Sequence, residues 1–135
     1  MKDPVKKRNQ IRNEQGQTMT EFALVLPVLA LILFAVIQFG IVFNNYITLT
    51  DATRAGARKA AVSRQDPNRN SAVMSAVRSS ASDLTSSKLS VSPPSSTWAP
   101  GADVTVTASY PYSISLLGFA VKSGQLSSTT TERVE

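Results

Sequence analysis

From Phe22 to Phe43 the chain reads FALVLPVLALILFAVIQFGIVF, 22 residues with no charge and a single amide, Gln38. At about 1.5 Å of rise per residue this makes about 33 Å of helix, enough to cross a hydrocarbon core about 30 Å thick. A chain of 135 residues is too small to wrap a helix that is apolar on every side. A cleavable secretory signal has an apolar region of about 7–15 residues ending at a small-x-small site. Here the run is longer and leads into Asn44-Asn45-Tyr46, and the nearest such triplet, Ala55-Gly56-Ala57, lies well downstream. The segment is therefore expected to stay in the protein as a membrane helix.

The residues on either side set its orientation. Lys2, Lys6, Lys7, Arg8 and Arg12 precede the block, against Asp3 and Glu14, while Arg54, Arg58 and Lys59 follow it. The larger cationic cluster marks the cytoplasmic side, so the N-terminus is expected inside and the C-terminus outside. The net charge of +5 is compatible with anionic lipid. The cations stand at the ends of the apolar helix without interleaved aromatics, and nucleic acid is not an expected partner.

Glu21 abuts the apolar run directly, and a carboxylate at that position costs free energy. Read alone, it is an interfacial acid reaching back into the headgroups. Its setting supplies a second reading. A basic leader ends in Gly16, Glu21 stands fifth after that glycine, and the apolar helix begins at Phe22. This junction resembles the type IV prepilin cleavage site, where a membrane peptidase on the cytoplasmic face cuts after the glycine. Carried onto this chain, the cut falls between Gly16 and Gln17. Glycine suits the position because a chain entering a protease site must be extended and uncluttered.

The runs Glu21–Pro27, Gln38-Phe39-Gly40 and Leu49–Val62 narrow the resemblance to the TadE-like family, pseudopilins of the tight-adherence (Tad/Flp) pilus and secretion system. The likeness is close over residues 16–62 and looser through Val104–Pro111 and the closing Glu132–Glu135. It implies a minor pilin-like component that waits in the cytoplasmic membrane, is matured by a prepilin peptidase, and joins or primes a filament with other pilins and the Tad assembly platform. Glu21 would then pair with the new α-amine of Gln17 on a neighbouring subunit, since an unpaired charge in an apolar setting is strongly disfavoured. Phe22 stands where the major Flp pilin usually carries Tyr, and the chain is longer than that pilin; both point away from the major subunit. The competing expectation is an unprocessed single-pass anchor displaying a small binding or adhesive domain.

Three parts follow: a cleaved cytoplasmic leader over 1–16, the membrane helix and its extension over 17–63, and a small extracytoplasmic domain over 64–135. Pro27 lacks an N–H, leaves the carbonyl of Ala23 without its helical partner, and predicts a bend. Ala52, Gly56 and Ala60 recur every fourth residue as a small-residue stripe, against which the folded domain or another subunit packs. Asp51 and Arg54 form a solvated pair one turn apart. A short helix is predicted over 71–84, capped by Asn70, with Val73, Val77, Ala81 and Leu84 on its buried face. Strands are predicted around Leu89–Val91, over Asp103–Tyr110 and over Gln125–Val134, with Pro111 stopping the second and Ser113–Val121 forming an apolar loop. The fold class is α+β: a long membrane helix carrying a short helix and a small three-stranded antiparallel sheet. Without histidine or cysteine, and with its acids scattered, the chain is expected to be no enzyme and to hold no metal or cofactor.

Overall fold

A computed structural model describes the backbone of residues 5–116 and 118–135 and the side chains of 16–116 and 118–135. The first four residues of the expected leader, and its side chains up to residue 15, lie outside the described residues. Helix α1 runs Val5–Ala61 and continues through Pro27. Arg58 and Lys59 occupy its last turn, where cations complement the partial negative charge of a helix C-terminus. Helix α2 spans Arg69–Ser80. Three strands follow, β1 (Ser90–Val91), β2 (Asp103–Leu116) and β3 (Phe119–Arg133), in one antiparallel sheet of order β1-β2-β3.

The chain divides into two compact units at Ile37/Gln38. Over its described residues the first is helix alone. Its apolar side chains are exposed all round, Leu24, Leu29, Ile32 and Leu33 among them. A helix that is apolar on every face and uncovered by protein is a candidate membrane span.

The second unit builds a core on the later part of α1. Leu49, Ala52, Ala57 and Ala60 meet Val73 and Val77 of α2 and the inward row Val104, Val106, Ala108 and Tyr110 of β2. That row alternates with Thr105, Thr107 and Ser109, as the two-residue period of a strand with one covered face requires. On the opposite face Thr105 pairs with Thr131, and Thr107 with Thr129, each through hydroxyls 3.0 Å apart.

Helix α2 keeps its expected face but shifts its ends. The Asp66 carboxylate accepts the Asn68 N–H at 2.8 Å, turning the chain ahead of Asn70, so the helix opens at Arg69 with Asn68 at the N-cap. It stops at Ser80, where the Ala81 N–H is shared between the carbonyls of Val77 and Arg78. Ala81 and Leu84 remain buried from the turn that follows.

The expected loop over 113–121 is corrected. β2 continues past Pro111 to Leu116, and β3 begins at Phe119, which pairs with Leu116. Proline is tolerated here for a geometric reason. Thr105 and Thr107 turn their backbone groups toward the β1 side, bonding Ser95 and Ser92, and by the strand period Pro111 faces that side too. The ladder with β1 ends at Ser109, so the missing N–H costs no bond. At the hairpin end Gly118 sits at φ 88°, a left-handed conformation that glycine adopts without strain.

Candidate functional site

The Gly16–Glu21 junction lies in the first unit, on a regular turn of α1. The Gln17 side-chain amide donates to Glu21 Oε1 at 3.0 Å, and the Thr20 hydroxyl donates to the Gly16 carbonyl at 2.9 Å. Both are i,i+4 contacts that the helical period places on one face. All four residues are exposed, and a Cβ built on Gly16 would meet nothing. The peptide between Gly16 and Gln17 is therefore accessible but helical. Glycine weakens this turn by about 1 kcal/mol relative to alanine, so the Gly16–Gln17 peptide stands at an easily opened point of α1. Glu21 stands one residue ahead of the apolar block, with the Gln17 amide as its hydrogen-bond partner in the chain. Pro27 is exposed, as are its neighbours.

The small-residue stripe lies in the second unit. Ala52 and Ala60 are fully buried. A Cβ placed on Gly56 would strike Val77 Cγ2 and press on Val106 Cγ1 at 3.3 Å, so glycine is what allows α2 and β2 to close on α1 there. The chain's own domain covers this face. Asp51 and Arg54 make an exposed pair at 3.4 Å, of a kind worth little to stability.

Two features of the second unit lay outside the sequence reading. Thr53 is fully buried; its hydroxyl donates to the Thr50 carbonyl at 2.8 Å and meets Ser128 Oγ at 2.9 Å and Thr130 Oγ1 at 3.2 Å. One hydroxyl hydrogen goes to Thr50, so Ser128 and Thr130 both donate to the Thr53 oxygen, which joins β3 to α1. The only sequence sign was position: Thr53 follows Ala52 along the covered face, and Ser128 and Thr130 alternate in the last strand. The second feature is the hairpin end, where Phe119 and Val121 are 79% and 62% exposed. Among the described residues, no group of three or more Asp, Glu, His or Cys is placed to hold a metal.

Residues 16–58 match the family of TadE-like proteins. The matched segment starts at Gly16 and takes in Glu21, the apolar block, Ala52 and Gly56. No curated protein and no solved structure matches the chain.

Proposed function

We propose that this chain, which belongs with the TadE-like proteins through residues 16–58, is a minor pilin-like (pseudopilin) component of a Tad-type pilus or secretion apparatus. One observation carries the reading. The family segment opens at the glycine of a Gly16…Glu21-Phe22 junction, standing directly before a helix whose apolar side chains have no protein cover. The chain waits in the cytoplasmic membrane with its N-terminus inside, and a prepilin peptidase cuts between Gly16 and Gln17. The chemistry of the cut belongs to the peptidase; this chain supplies an exposed, weakened turn that unwinds into an extended substrate. Cleavage turns Gln17 into a terminus with a cationic amine, and Glu21 of a neighbouring subunit neutralises it. Within its own chain Glu21 is held by the Gln17 amide at 3.0 Å, an uncharged donor that a cationic amine outcompetes, because the amine adds the attraction of opposite charges to the hydrogen bond. The chain acts as an assembly part and not as an enzyme.

The test is mass spectrometry of the N-terminus after co-expression with a prepilin peptidase. The native chain is expected to begin at Gln17, and Gly16→Leu to remain uncut. A phosphatase reporter fused after Glu135 is expected to be active, and one fused before Phe22 inactive. A native N-terminus that is unchanged by the peptidase, or that lies downstream of Phe43, overturns the proposal and leaves a single-pass anchor.

A further inference from the structure

The β2–β3 hairpin extends well beyond the core that stabilises it. The last buried residue of β2 is Tyr110, β1 reaches only Ser109, and from Pro111 to Gln125 the ribbon is two strands wide. A lone two-stranded ribbon is marginal in water. This one carries apolar residues at its far end: Ile114, Leu116, Phe119 and Val121, the last two largely exposed. A soluble domain has no reason to offer such an end to solvent.

Where the end lies follows from the contacts of β3 with α1 inside the second unit. Glu135 donates its backbone N–H to the Ala61 carbonyl, and Ser128 and Thr130 bond Thr53. Going back along β3 is therefore going back along α1, toward the apolar block. Between these two anchor points about 20 Å of strand covers about 12 Å of helix. At the same inclination the ten residues from Thr129 back to Phe119 cover about 20 Å of helix, about 13 residues. The tip thus comes level with Gln38–Phe43, the last turns of the apolar block. The helix surface agrees. Gln38, Val42 and Asn45 are half-buried and continue the face of buried Leu49 and Thr53, whereas Phe39, Ile41 and Phe43 beside them are exposed.

The geometry points to a second membrane contact: the tip of the β2–β3 hairpin dips into the outer leaflet of the bilayer that holds α1. Its composition is ordered for that interface. Leu116 and Phe119 lead, Ser115 and Ala120 pair behind them, Val121 and the paired Ile114 and Lys122 follow, with the lysine at the level of lipid phosphates, and Ser113, Ser123 and Tyr112 come next toward water. This is the sequence of acyl chain, headgroup and solvent. Because α1 tethers the domain at the surface, tip insertion is intramolecular and needs little intrinsic affinity. Two attachments, one helix and one hairpin, then fix the rotation and tilt of the domain over the membrane. Apolar residues that would be a liability in water are covered by lipid.

The inference rests on α1 spanning the bilayer, so the experiment carries a control for that premise. The chain has no cysteine, so single cysteines introduced at Phe119, Ile32 and Thr131 each take one nitroxide label. The full chain is reconstituted into phosphatidylcholine–phosphatidylglycerol vesicles, and collision with oxygen is compared with collision with a water-soluble nickel chelate. Labels on Phe119→Cys and Ile32→Cys are expected to favour oxygen, and that on Thr131→Cys to favour nickel several-fold more. Val121→Cys repeats the measurement should Phe119→Cys fold poorly. Nickel access at 119 and 121 equal to that at 131, with Ile32 still in lipid, overturns the hairpin contact alone. Labels shielded from both reagents and coupled to each other place a second copy on the tip and also overturn it. Nickel access at Ile32 removes the span itself.

Discussion

Gly56→Ala tests how tightly the domain closes on α1. At an open helical site this change stabilises by about 1 kcal/mol through helix propensity. Here the new Cβ collides with Val77 Cγ2 and crowds Val106 Cγ1, both on fully buried residues. Valine is stiff at χ1 and has no flexible end to swing away, so the cost is at the upper end of the range for overpacking, about 3 kcal/mol. The balance is about 2 kcal/mol of destabilisation, a fall of about 10 °C in Tm for a small domain. Thermal unfolding of the full chain in detergent micelles, followed by the fluorescence of its single tryptophan, Trp98, measures it. Val77→Ala alone loses two buried carbon groups and leaves a void, about 2 kcal/mol. In the double variant the alanine methyl occupies that void, so the two costs combine to less than their sum by about 1–3 kcal/mol. A rise in Tm for Gly56→Ala, or simple additivity in the double variant, would refute the close approach of α2 to α1.

Thr53→Val keeps shape but removes the oxygen that accepts from Ser128 and Thr130; with Ser128 buried, the expected loss is about 1–3 kcal/mol in the same unfolding assay. Ser128→Ala removes one donor while Thr53 keeps its bond to Thr50, and is expected to cost no more than about 1 kcal/mol; an equal loss in both variants would sink the three-hydroxyl account. Glu21→Ala is expected to be cut normally after Gly16 but to assemble poorly, read by mass spectrometry of the N-terminus and co-purification with the pilus components. Glu21→Asp should fall between, keeping the charge with one methylene less of reach, and full assembly of Glu21→Ala would remove the pairing role.

The features legible in the amino-acid order are those written in a local period. An uninterrupted apolar run needs no partner to be recognised, and the matched family segment begins at the glycine singled out by its distance from Glu21. The α+β class, the buried face of α2 through Val73 and Val77 and the alternation of β2 likewise follow from spacing along one element, because burial on one side imposes that spacing. Three features depended on residues far apart in the chain. Pro111 reads as a strand stop, and only the end of β1 at Ser109 leaves its missing N–H without consequence. Ser113–Val121 reads as a loop because its apolar and small residues show no clean alternation, yet the register from Asp103↔Arg133 to Leu116↔Phe119 carries the ladder through it. Thr53 reads as an ordinary polar residue of a helix until Ser128 and Thr130 arrive beside it. Spacing along a chain encodes which side of an element is covered; what covers it, and how far a paired strand continues, is set by contacts between segments whose separation no local pattern records.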